Sequence, residues 1–216
     1  MTRGDDIILF HSPHTRSMAT LVLLEELGVP YRLNLINMKR GEQQEDAYRA
    51  VNPLGKVPAI LHDGALITEQ VAIYIHLADH FSAAGLAPAL GDARRGPYLR
   101  WLVFYAACFE PALADRALKR DPGPHMMSPY GTFDSMLGVV TGRLAEAPYL
   151  LGDTLTAADI LWGAAFNWSV SFGLVPETPV IADYTRRLVG RPSFRKVAAL
   201  DAGWIAEHEA AAGKTP

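Results

Sequence analysis

The segment Asn52-Pro53-Leu54-Gly55-Lys56-Val57-Pro58-Ala59-Ile60 holds two prolines and a glycine ahead of a short apolar run. Pro53 and Gly55 force a turn. Val57 precedes a proline, which biases it toward extended backbone. Its N–H and C=O then face an extended ligand instead of closing a helix. Pro58 to Leu61 reads as a strand. His62-Asp63-Gly64 is a hairpin turn, since Asp-Gly favours positive φ, and Ala65 to Thr68 is the returning strand. Glu69 to Phe81 follows as an amphipathic helix with Val71, Ile75 and Ala78 among its apolar positions.

Toward the N-terminus, Ile7-Ile8-Leu9-Phe10 is a continuous apolar run and reads as a buried strand. The polar loop His11-Ser12-Pro13-His14-Thr15-Arg16-Ser17 comes next, then a helical pattern through Leu21, Val22, Leu24 and Leu27, ended by Gly28 and Pro30. Tyr31 to Ile36 alternates as a second strand, and Arg40 to Ala50 is a polar loop with a weak helix. The order is β-α-β-α-β-β-α, which is thioredoxin-like; a helical crossover implies parallel pairing and a tight turn antiparallel pairing.

Beyond Phe81 the character changes. Ser82 to Gly91 is rich in Ala, Gly and Pro and reads as a linker. All strong patterns after it are helical. Pro97 to Leu118 is a helix that Pro111 should kink. Pro129 to Ala145 is another, and Thr156 to Val170 is apolar on nearly every side, as expected of a buried centre. Thr178 to Gly190 and Pro192 to Trp204 read as shorter helices, with a frayed tail from Glu207. The expected fold is α/β plus all-α: a thioredoxin-like domain over 1–81, a linker over 82–92 and an all-helical domain over 93–216.

The 216 residues are half hydrophobic, enough for one large or two small cores. Lys and Arg number 20 against 23 Asp and Glu. A net charge of −3 argues against a nucleic-acid partner. No apolar run reaches the roughly 18–20 residues of a membrane span, and Met1 to Asp6 lacks the apolar core of a signal peptide, so a cytoplasmic location is the default. Cys108 is the only cysteine, so no intrachain disulfide forms. Of the seven histidines, His11 and His14 are weighed as a metal pair and set aside, and no metal is expected.

Asn-Pro-x-Gly-x-Val-Pro-x-Ile, followed by Leu66-Ile67-Thr68-Glu69-Gln70-Val71-Ala72-Ile73, resembles the glutathione-binding half of cytosolic glutathione transferases. The resemblance extends over nearly the whole chain. It implies that Pro58 is cis and that Val57 pairs by backbone bonds with the cysteinyl part of glutathione. It also implies the two-domain architecture and a two-fold homodimer.

Ser12 follows the first strand just before a helix. A helix N-terminus favours an anion, and a hydroxyl there donates to a thiolate. An ordinary thiol with a pKa near 8.5 is only about 3% ionised at pH 7. Roughly a hundredfold more thiolate requires about 2.7 kcal/mol. One charge-assisted hydrogen bond contributes about 1.5–3 kcal/mol and the dipole about 0.3–1 kcal/mol, so no general base is required. A serine at this point equally serves as a helix cap or Ser-Pro turn. In the serine-type transferases this hydroxyl lies at the end of the first strand; Ser12 matches it, with Thr15 and Ser17 as alternatives in the same loop. The loop has neither tyrosine nor cysteine, which disfavours tyrosine-type and thiol-transferase chemistry.

By the same resemblance Glu69 and Gln70 hold the γ-glutamyl end of glutathione, Gln70 standing where a hydroxyl is usual. Lys56 meets the glycyl carboxylate, and Lys39 and Arg40 are weaker candidates for a second charge. Each of these also has an ordinary reading, as a dipole-stabilised carboxylate or a solvated cation. Tyr105, Phe109, Met126 and Trp168 are candidate walls of an apolar second-substrate pocket, with core packing as the competing reading. Thr156-Ala157-Ala158-Asp159 fits a capping box and marks Thr156 and Asp159 as structural. The expected function is a glutathione transferase that stabilises the thiolate for attack on a hydrophobic electrophile or a peroxide in a cleft between the domains. Glutathione is the co-substrate, and no prosthetic group is implied. A non-catalytic binding or assembly module, or a glutathione-dependent isomerase or dehalogenase, are the alternatives.

Overall fold

The computed structural model describes residues 6–212, with side chains as far as 209. The polar N-terminal residues 1–5, read above for a signal peptide, lie outside the described residues. In chain order the elements are β1 (Ile7–His11), α1 (Ser17–Leu27), β2 (Arg32–Leu35), α2 (Asp46–Arg49), β3 (Ala59–His62), β4 (Ala65–Ile67), α3 (Gln70–His80), α4 (Arg95–Phe104), α5 (Glu110–Leu118), α6 (Phe133–Glu146), α7 (Ala157–Ser171), α8 (Pro179–Val189) and α9 (Pro192–Ala212). Two compact units result: residues up to Leu77 together with those from Arg191 onward, and Ala78 to Gly190. No helix of the described residues is long and apolar enough to cross a membrane.

The first unit has a four-stranded sheet in the order β2-β1-β3-β4. β1 and β2 are parallel, joined by α1, while β1–β3 and β3–β4 are antiparallel, which is the thioredoxin-like arrangement. Leu21, Val22, Leu23 and Leu24 of α1 are all fully buried, so this helix is enclosed rather than amphipathic. Gly28, at φ 67°, ends it by taking the left-handed conformation while its N–H bonds the Leu24 carbonyl. Asp63 and Gly64 both have positive φ in the β3–β4 hairpin.

The last helix departs from expectation. α9 is 21 residues long, well beyond Trp204, and it packs on α1 in the first unit instead of joining the helical half. Its periodicity is weak, so tertiary ties set its length. Arg191 makes a bidentate pair with Glu26, both N···O distances 2.7 Å, and Ser193 donates to the same carboxylate. Lys196 reaches Glu25 at 2.7 Å, and Lys39 reaches Glu209 at 2.9 Å.

The helical unit is built around α7. Trp162 is fully buried, donates its indole N–H to the Trp101 carbonyl at 3.0 Å, and touches the rings of Trp101, Phe104, Tyr105, Phe109 and Phe166. A Cβ on Gly163 would lie 2.2 Å from Leu188 Cδ1, so only glycine lets α7 and α8 approach this closely. Residues expected to be a linker are fastened here: the Leu86 carbonyl accepts the Ala157 N–H at 2.8 Å, supplying one of the partners that the start of α7 lacks internally. Pro111 does not produce a simple kink. Tyr105–Phe109 forms a π-helical turn, and Pro111 falls in the first turn of α5. The wider turn absorbs the missing donor and the ring that a regular helix would reject.

Asp159 is buried and accepts from the Thr156 N–H and hydroxyl, both at 2.9 Å, the Leu150 N–H at 2.8 Å and the Tyr184 hydroxyl at 3.0 Å. Burial pushes its carboxyl up, and the bonds it accepts work against that. The structural reading of Thr156 and Asp159 therefore extends beyond a cap, because one carboxylate fastens the α6–α7 turn, the start of α7 and α8.

Asp159→Ala should cost more than the about 0.5–2 kcal/mol of an ordinary cap, because each orphaned buried donor adds about 1–3 kcal/mol; urea unfolding measures it. For Glu26, burial alone would raise the carboxyl, but hydrogen bonds from Arg191 and Ser193 outweigh it and hold it below its ordinary value. That stabilisation is present above the unfolded pKa of about 4.3 and is lost as pH falls through the lower folded value. Glu26→Gln should thus destabilise by about 1.5–3 kcal/mol at pH 7. The gap from the parent should narrow in unfolding curves taken progressively below about pH 4.

Candidate functional site

The register of the sheet brings the candidate residues together. β1 pairs with β3 as Leu9↔Ile60 and Phe10↔Ala59. Continued two residues past the ladder, that pairing sets Ser12 opposite Val57. β3 pairs with β4 as Ile60↔Ile67, and the same continuation sets Pro58 opposite Glu69. Ser12, Val57 and Glu69 therefore sit at one end of one sheet, although 57 residues separate the first from the last.

The turn ahead of Val57 is built rigidly. Gly55 has φ 60°, and a Cβ there would lie 2.6 Å from the Gln43 carbonyl oxygen. Tyr48 and Asn52, both buried, donate to the Lys56 carbonyl at 2.5 and 2.8 Å. Burial pushes the Tyr48 phenol up to about 12, so it stays a donor. The Val57 side chain packs on the cluster of Phe10, Ile36, Tyr48 and Ala59. The Val57–Pro58 bond is cis. Among the described residues the backbone N–H and C=O of Val57 make no hydrogen bond. Lys56 is exposed.

In the loop after β1 the three hydroxyls have different surroundings. Ser17 is fully buried, and its Oγ meets His11 Nδ1 at 2.8 Å, Thr15 Oγ1 at 2.7 Å, and the Ser12 N–H and carbonyl at 3.1 Å each. Thr15 Oγ1 donates to the Ser12 carbonyl at 2.7 Å. The Ser12 hydroxyl makes no hydrogen bond among the described residues, and Ser12 keeps 2% of its surface exposed. So Thr15 and Ser17 hold the backbone of Ser12 and leave its hydroxyl to other partners. α1 starts at Ser17 with Arg16 as its cap, so Ser12 follows β1 directly and is not itself the helix cap.

Glu69 is exposed and has φ 60°, an uncommon conformation for a residue with a side chain. Its carbonyl accepts from the Ile73 N–H at 3.0 Å, so it caps α3, whose first N–H groups have no partner within the helix. The Gln70 side-chain nitrogen donates to the Arg16 carbonyl at 3.0 Å. Gln70, which departs from the usual hydroxyl, braces the loop that carries Ser12. Lys39 is paired with Glu209, away from this arrangement.

The expected second-substrate wall is not assembled within the helical unit. Tyr105 and Phe109 are buried around Trp162, Met126 is 97% exposed, and Trp168 meets the ring of Phe172 at 4.5 Å. Aromatic residues at helical spacing look alike whether they line a pocket or fill a core. The sequence reading took His11 only as half of a metal pair that it set aside, and it did not single out Asp201. His11 is fully buried, its Nε2 2.9 Å from Asp201 Oδ1, and Asp201 Oδ2 accepts the His14 N–H at 2.9 Å. Nothing local in the sequence marks Asp201.

The Glutathione S-transferase, N-terminal domain family model matches residues 5–79, and the Glutathione S-transferase, C-terminal domain model matches residues 131–192, together more than half of the chain. The chain is 29% identical over 190 residues to glutathione S-transferase GstA of Escherichia coli O157:H7, covering 87% of this chain and 94% of that one. Among solved structures it resembles a glutathione transferase from Methylococcus capsulatus, at 26% identity and a TM-score of 0.78 over 91% of this chain and 98% of that one. A sphingomonad glutathione S-transferase complexed with glutathione aligns at 25% identity and a TM-score of 0.73, over 90% of this chain and 98% of that one. With both domain models in order, the thioredoxin-like sheet and relatives aligned along nearly their full length, this chain belongs to the glutathione transferase superfamily.

Proposed function

We propose that the protein binds glutathione in extended form at the end of the sheet and stabilises its thiolate for transfer to an apolar electrophile or for reduction of a peroxide. The observation that carries this reading is the alignment of the unbonded Ser12 hydroxyl with the unbonded backbone of Val57 across the β1–β3 register. The cysteinyl backbone of glutathione pairs with Val57. Its γ-glutamyl carboxylate meets the first N–H groups of α3, where the helix dipole favours an anion and Glu69 faces the ammonium. Lys56 serves the glycyl carboxylate.

Ser12 then donates its O–H to the sulfur. The proton released by the thiol goes to solvent, and the thiolate attacks the electrophilic carbon while the leaving group departs with the bonding pair. Preorganisation of Ser12 by Thr15 and Ser17 keeps the donor aimed before the charge develops, which is the property that makes such donors effective. The sphingomonad relative, complexed with glutathione, supports the choice of ligand. A two-fold homodimer is part of the proposal, to be read from sedimentation.

Calorimetric titration with glutathione should show binding in the parent. Val57→Pro, which deletes the backbone donor, should abolish binding while circular dichroism stays unchanged. Ser12→Ala should keep binding within a few-fold and lower turnover by about 10²–10³, the typical loss for one oxyanion-type donor. No heat at millimolar glutathione in the parent sinks the transferase reading.

A further inference from the structure

Asp201 is out of place for a helix residue in a long surface helix: it is 4% exposed, and both carboxylate oxygens are directed into the Ser12 loop. We propose that Asp201 is a positioning residue for the thiol-stabilising hydroxyl, acting through a buried relay from α9. This rests on the glutathione reading above.

The relay has two arms. In the first, Asp201 Oδ1 accepts the Nε2–H of His11 at 2.9 Å, His11 Nδ1 meets Ser17 Oγ at 2.8 Å, and Ser17 Oγ accepts the Ser12 N–H at 3.1 Å. In the second, Asp201 Oδ2 accepts the His14 N–H at 2.9 Å. One carboxylate thus fixes the loop at both ends of Ser12-Pro13-His14. The need for such a clamp is visible in the backbone, because His14 is held at φ 60°, which costs energy in a residue with a side chain and persists only where surroundings impose it. The Trp204 ring, one turn along α9, packs edge-on to His11 at 5.3 Å and closes the relay. His11, Ser17 and Asp201 have the order of a nucleophilic triad, but Ser17 and His11 have no exposed surface, so the chain of bonds transmits geometry and not substrate chemistry.

The sign of the effect separates positioning from electrostatics. Asp201 is an anion, and removing it would by charge alone favour a nearby thiolate. Positioning predicts the opposite. Asp201→Asn preserves volume but offers one acceptor where two donors converge, so one arm is lost. Ser17→Ala cuts the first arm and leaves the α9 ties to Glu25 and Glu26 intact.

The experiment follows thiolate absorbance of bound glutathione against pH, with binding of S-methylglutathione, which has no thiol, measured by calorimetry in the same proteins. Both variants should lose about tenfold or more of the thiolate at neutral pH, the loss expected for a misaimed bond to a charged acceptor. S-methylglutathione binding should remain within about threefold. If the variants show the parent's thiolate titration, or more thiolate than the parent, the positioning role is overturned. Equal loss of both ligands with a lowered Tm also overturns it, in favour of a purely structural anchor for α9. Failure of the parent to bind either ligand overturns the glutathione reading itself, and the proposal with it.

Discussion

The antiparallel ladder between Ile7–Phe10 and Ala59–His62 is the constraint on which the candidate site depends. Strand pairing has a side-chain period of two, so a slip of one residue would exchange the two faces of β3. Both faces are packed, Ala59 on one and Ile60 on the other, so the slip would set an isoleucine in the space fitted to an alanine. Ile60 and Ala59 are fully buried, as is Leu9 opposite Ile60, which holds the register. That register, not any contact between the site residues themselves, sets Ser12 across from Val57. Apolar packing in the sheet is thus converted directly into the placement of a hydroxyl and a pair of backbone groups.

Much of this was legible in the sequence because it is locally encoded. Pro53, Gly55 and Pro58 state a turn and an extended exit within six residues, and the structure adds the reason for the glycine: Gln43 closes on it. Thr156 and Asp159 announce a helix start by spacing alone. The unread parts are those in which a residue is defined by a distant partner. Asp201 acts on His11 across 190 residues. Tyr105 and Phe109 satisfy the spacing of a pocket wall and of a core equally, and the ring of Trp162 settles the matter only in three dimensions. The docking of α9 on α1 rests on ion pairs from Arg191 and Lys196 to Glu26 and Glu25 that no window of sequence displays.

Buried or half-buried carboxylates recur as fasteners. Asp159 joins the α6–α7 turn to α8 in the helical unit; Glu26 and Asp201 join α9 to α1 and to the β1 loop in the first. Each collects several donors, so each would leave several orphaned polar groups if removed, and the stability they contribute is concentrated in few side chains. The π turn works differently. A stripe of every fourth residue drifts around a regular helix of 3.6 residues per turn. One wider turn takes the drift back, and Trp101, Tyr105 and Phe109 all reach the single ring of Trp162. Pro111 therefore fixes which aromatic faces meet, and its effect is registered in packing more than in direction.

Because the first unit takes up its last helix only after Gly190, it is interrupted in the order of synthesis. A ribosome delivers the sheet, its hairpin and the Ser12 loop long before Asp201 emerges. The four strands can pair early, since their partners lie close in sequence, but the clamp on the loop waits for the entire helical unit to be made. The candidate site is therefore the part of the first unit whose full set of partners is synthesised last.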